Sequence, residues 1–156
     1  MAAPRQRLVI GAGNDERGDD GVGLWLVRRL EVQRLPGVMV RVFTGDPTRL
    51  LEIWANVEVV YLVDAISSGA PPGTVRRFNA RCEPLPRAFF HLSSHGTSVA
   101  DAVALGKALR RLPPRLVIYG IESKSFGVGQ PISPEVRRGA EQALAALRRE
   151  LEPSHA

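Results

Sequence analysis

The stretch from Gly11 to Asp20 reads GAGNDERGDD and packs Asp15, Glu16, Asp19 and Asp20 into one turn. Two further groups stand at comparable places. Asp64 closes the apolar run YLVDAI, and His95 sits in SSHG just before a helical segment. Two carboxylates and an imidazole suit a divalent metal, with positions left for substrate or water. A turn of this shape could instead hold a phosphate. The dinucleotide fingerprint G-x-G-x-x-G, counted from Gly11 and Gly13, requires glycine at position 16, where Glu stands. Four carboxylates there would repel a pyrophosphate by several kcal/mol. Helix capping explains one acid of the Asp19-Asp20 pair, because carboxylates satisfy free N–H groups at a helix start.

Other chemistries have less support. His91, four residues before His95, is a rival ligand, although Phe89 and Phe90 beside it also suit packing. Ser93 and Ser94 adjoin His95, but no G-x-S-x-G nucleophile elbow exists. Lys124 in ESKS lies in a glycine-rich loop and reads as solvated. Cys82 is the single cysteine, which leaves no intramolecular disulfide and no cysteine-rich metal site.

The candidate residues need a scaffold that gathers them. LVIGAG (8–13) reads as a buried strand entering a turn, and apolar residues from Val22 to Leu30 recur at helical spacing. VMVRVF (38–43) is a strand and TGDP (44–47) a turn, with a short helix at Leu50, Leu51 and Trp54. The most apolar segment, 57–66, reads as a central strand buried on both faces. TVRRF (74–78) is a strand with the character of a sheet edge. A helix carries Val99, Val103, Leu105 and Leu109, with Ser93 or Ser94 near its cap. RLVIYGIE (115–122) is a further buried strand. The last helix starts at Ser133 and Pro134 and runs to about Leu151.

Strands alternating with helices predict a single α/β domain over 1–156, a three-layer sandwich with a mostly parallel twisted sheet and helices on both faces. Parallel strands gather their carboxyl ends on one edge, which would bring Asp20, Asp64 and His95 together.

Charge and composition narrow the function classes. The net charge of +5 raises nucleic-acid binding, but the excess arginine falls in pairs, several of them in helical segments. No aromatic interleaving, zinc-finger spacing or RNP-like run accompanies it, so the arginines read as a solvated face. Apolar runs are too short to cross a membrane, and the N-terminus lacks a secretory signal, so a cytoplasmic protein is expected.

The motifs together resemble the hydrogenase maturation endopeptidases. The shared pieces are G-x-G-N (11–14), D-D-G-x-G (19–23), VDA (63–65), SSHG (93–96), VIYGIE (117–122) and ISPEV (132–136), in order along nearly the whole chain. The resemblance implies a hydrolase that removes a C-terminal peptide from the precursor of a [NiFe]-hydrogenase large subunit. It also implies that Asp20, Asp64 and His95 contact nickel already carried by that precursor. The metal then arrives with the substrate, and no permanent cofactor is expected. Asp46, in TGDP, is a candidate catalytic or supporting acid. The expected partner is the precursor alone, with no nucleic acid and no membrane, and the enzyme is expected as a monomer. The chain departs from the family pattern at Asp15, Glu16, Arg17 and Gly18, where many members are apolar. Two other classes stay open: a non-catalytic docking module of the same fold, and a nucleotide- or nucleic-acid-binding α/β protein.

Overall fold

A computed structural model describes residues 6–152. Five strands form one sheet: β1 (Arg7–Ala12), β2 (Val38–Phe43), β3 (Val59–Ile66), β4 (Val75–Asn79) and β5 (Arg115–Glu122). Their order is β2-β1-β3-β5-β4, parallel throughout except for β4, which runs antiparallel to β5 at the edge. Helices α1 (Val22–Val32), α2 (Leu50–Ile53), α3 (Val99–Ala108) and α4 (Pro134–Leu151) complete the expected layers.

Strand alternation sorts the core into two halves. Leu8, Ile10, Leu62, Leu116 and Ile118 face one way, onto Leu50, Trp54, Ala102 and Val103 of the α2–α3 side. Val9, Tyr61, Val63, Val117 and Tyr119 face the other way, onto Leu26 and Leu30 of α1 and Ala140, Ala143 and Leu147 of α4. Every residue of β3 is buried, as expected of a strand covered on both faces.

Two local expectations change. Neither Asp19 nor Asp20 caps α1, whose N-cap is Gly21 with no side-chain bond. The acids occupy a separate 3-10 turn, Gly18–Gly21, so they lie one turn ahead of the helix. Helix α3 is capped by Ser98, not by Ser93 or Ser94. Ser98 is extended, and Asp101 three residues on returns the bond, a reciprocal capping box that the earlier serines have no partner to make.

Two glycines make the acidic turn possible. Gly13 has a φ of 137°, and a Cβ there would collide with the Asp20 carbonyl. Gly23 lets α1 lie directly on the sheet, since a Cβ there would collide with the Val63 carbonyl and stand 2.7 Å from that of Ala12. Pairing of β1 with β3 ends at Gly11 and Val63, so Asp64 is the first β3 residue beyond it. Here the carboxyl ends of β1, β2 and β3 open on one edge of the sheet.

Candidate active site

A cavity of about 90 Å³ lies at that edge. Its wall includes Gly13, Asn14, Arg17 and Asp20 from the acidic turn, Thr44 and Gly45 after β2, Asp64 of β3, and His91 to Ser94. This volume holds a metal ion and its ligand atoms rather than a whole peptide, since ligand pockets run to several hundred Å³.

The two expected carboxylates share this cavity. Burial raises the Asp20 carboxyl above its usual range, against the opposing pull of His91, the Asn14 backbone N–H and Arg17. Asp64 is 5% exposed. Burial pushes its carboxyl well above the usual range, and the charge of Asp20 pushes it further, opposed by the Ala65 N–H donating to Oδ1 at 2.9 Å. Two acids that each resist ionisation face one small space.

The histidines divide differently. His91 faces Asp20, lines the cavity and stacks on Phe126 at 3.9 Å between ring centroids. His95, exposed like His91, lies outside the cavity wall, and its charge acts on Asp46. The 93–97 segment is a closed turn, with Ser93 N–H donating to the Thr97 carbonyl at 2.7 Å and His95 N–H donating to Ser93 Oγ. Among the described residues, no three His, Cys, Asp and Glu side chains converge closely enough to hold a metal by themselves.

Asp46 stands beside the cavity as a brace. Its Oδ1 accepts from Thr48 N–H at 3.1 Å and from Thr97 Oγ at 2.7 Å, joining the turn after β2 to the histidine loop. These bonds, with Thr97 contributing most and His95 adding its charge, hold the Asp46 carboxyl below the usual range.

Asp19 does what capping was expected to do, but at a distance. Fully buried, it accepts from Lys124 N–H and Ser125 N–H, and from both Ser133 N–H and Ser133 Oγ. One acid of the pair therefore faces the cavity while its neighbour faces the core. The sequence alone carries no sign of which acid turns which way, because that depends on the distant Lys124, Ser125 and Ser133.

Glu122 carries the same clue as Asp64, a charge closing an apolar strand at the carboxyl edge. Its carboxylate is taken up by Ser68 N–H, Ser68 Oγ and Gly69 N–H. The Ser/Lys pair of ESKS has no catalytic geometry, because Lys124 Nζ pairs with Glu135 at 2.6 Å and Ser125 Oγ bonds Gln130.

Comparison with known proteins decides the family. The HycI hydrogenase maturation protease model matches residues 26–150. The chain belongs to the hydrogenase maturation protease family. It is therefore a hydrolase, an endopeptidase. Among its curated relatives, the hydrogenase 2 maturation protease of Escherichia coli K12 is 29% identical, over 90% of each chain. The hydrogenase expression/formation protein HupD of Rhodobacter capsulatus is 28% identical over 95% of this chain and 72% of its own. Two solved structures share the fold. The [NiFe] hydrogenase maturation protease HybD from Thermococcus kodakarensis is 26% identical, with a TM-score of 0.69 over 94% of this chain and 99% of that one. The hydrogenase maturating endopeptidase HybD of E. coli is 25% identical, with a TM-score of 0.68 over 93% of each.

In this maturation protease the basic surface is partly committed internally. Arg77 and Arg115 pair with Glu150, Arg28 with Asp15 and Arg87 with Asp101. Among the described residues, no helix is long and apolar enough to cross a membrane.

Proposed function

We propose that this maturation protease removes a C-terminal peptide from the nickel-loaded precursor of a [NiFe]-hydrogenase large subunit, reading the metal through Asp20 and Asp64. The observation that carries this reading is the meeting of these two carboxylates in one small cavity. Both are disfavoured as anions by burial, and they repel each other. A divalent cation relieves both costs at once, because it supplies positive charge where two like charges have lost water. The nickel is the substrate's cargo, and the enzyme needs no resident cofactor. Contact between nickel and carboxylates then reports that the precursor is loaded, and fixes the scissile segment against the enzyme.

The third ligand is an imidazole from the 91–97 segment. The SSHG motif favours His95, whereas the cavity wall favours His91, which already faces Asp20. For His95 to serve, the turn closed by Ser93 and Thr97 must open when the precursor docks.

Purified precursor, with and without nickel, tests the reading by mass spectrometry. A C-terminal mass loss only with nickel is expected, and it disappears in Asp20→Ala and Asp64→Ala. Equal cleavage of both precursors would sink the metal-reading role. Comparing His91→Ala with His95→Ala then identifies the imidazole as the one whose loss raises the nickel requirement.

A further inference from the structure

We propose that the open edge of β2 binds the C-terminal segment of the precursor as an added strand and leads it into the cavity. This rests on the substrate proposed above. The sheet has two edges, and they are treated differently. β4 is short, antiparallel and charged, with Arg76 and Arg77 in its middle and Arg77 tied to Glu150. Such features discourage strand addition. β2 is VMVRVF, apolar at five of its six positions, with Met39 and Val42 both over 40% exposed. No strand lies beyond it among the described residues.

Register shows which backbone groups face outward. Gly37 and Phe43 give their carbonyls to Arg7 N–H and Gly13 N–H on the β1 side. In a parallel strand, donors and acceptors of alternate residues point to opposite sides. Val40 and Val42 therefore turn their N–H and C=O groups to the open edge. A peptide bonded there gains main-chain affinity, with Met39 and Val42 offering apolar contacts.

What commits the edge to the precursor is its continuity with the cavity. β2 ends at Phe43, and Phe43, Thr44 and Gly45 are themselves part of the cavity wall. An added strand would lie about 14 Å from β3, three strand spacings. About four extended residues cover that distance. The cleaved bond thus falls about four residues from the last paired one, once the segment crosses Thr44 and Gly45. A second copy of this chain could pair with the same edge, but that pairing would use no part of the cavity.

Val42→Pro removes an outward N–H while leaving every bond between β1 and β2 in place, and Val42→Ala removes the side chain but keeps the N–H. With nickel-loaded precursor, we expect Val42→Pro to lower kcat/KM about tenfold, as for losing one or two main-chain hydrogen bonds, and Val42→Ala, which gives up only an apolar side-chain contact, to lower it clearly less. Amide hydrogen exchange on the parent enzyme supplies a reading that needs no variant to fold. Nickel-loaded precursor should slow exchange at Val40 and Val42, and large subunit already lacking its C-terminal peptide should not. Unchanged exchange with the precursor, or equal slowing by the shortened subunit, overturns the inference. Slowing that follows enzyme concentration alone assigns the edge to a second copy and also overturns it. If the parent leaves the precursor uncut, the substrate reading fails instead, a result distinct from all of these.

Discussion

Asp19 and Ser133 meet through two hydrogen bonds, from Ser133 N–H at 2.6 Å and from Ser133 Oγ at 2.9 Å, although 114 residues separate them. The contact fastens the turn that carries Asp20 to the head of α4. The same carboxylate holds Lys124 and Ser125, which immediately precede Phe126, whose ring backs His91. Both cavity groups thus hang on one buried acid.

Asp19→Ala should destabilise the fold by about 3 kcal/mol, because it leaves several buried donors without an acceptor. Cleavage should fall further than the loss of folded protein explains, since Asp20 and His91 both lose their support. Urea unfolding and cleavage at a temperature where the variant stays folded check the two halves separately.

Asp64→Asn should stabilise the protein at neutral pH while abolishing cleavage. The folded-state pKa of Asp64 is raised above 3.8, so its contribution to stability is full below that pH and is lost as pH rises through the raised value. The neutral amide escapes this loss. The variant's advantage in Tm should therefore be absent in acid and grow with pH, reaching a few degrees, about 2–4 °C per kcal/mol. Thermal scans across that range decide it, and a less stable variant at neutral pH would contradict the burial argument.

Gly23→Ala should weaken the fold even though alanine is the better helix former by about 1 kcal/mol. The added Cβ meets two backbone carbonyls, which cannot step aside as a side chain can. Pushing α1 off the sheet costs about 1–3 kcal/mol or more, so overpacking wins. A lower urea midpoint with an unchanged m-value is the expected result.

Glu150→Gln should cost about 1 kcal/mol near neutral pH and nothing in strong acid. Burial alone would raise the Glu150 carboxyl, but hydrogen bonds from Arg77 and Tyr119 outweigh it and bring it below 4.5. The stability of a lowered carboxyl is present above its unfolded pKa and fades as pH falls through the folded one. Parent and variant unfolding curves should therefore converge as the solution is acidified.

The layers of the fold were legible because they rest on local periodicity. β3 and β5 announce themselves as unbroken apolar runs, and α4 by its proline start and regular apolar face. Even the odd edge strand β4 could be read from its arginines. The start of α3 was misread by several residues, because many serines can cap a helix and only Ser98 has Asp101 placed to answer it. Asp64 and the Asp19-Asp20 pair were legible as neighbours for a topological reason: parallel strands must put their carboxyl ends on one edge.

The sequence by itself therefore determined the layer order, the sheet edge where the cavity opens and the presence there of Asp64 and of one acid from the Asp19-Asp20 pair. Those follow from periodicity and strand direction, which act over a few residues. Only the tertiary structure decided which acid of the Asp19-Asp20 pair looks inward, which histidine stands against Asp20, and that Asp46 braces rather than lines the cavity. Each depends on contacts between segments far apart in the chain: Asp19 with Ser133, His91 with Phe126, Asp46 with Thr97. No local pattern encodes such a meeting, because it is set by how the loops pack once the sheet has formed.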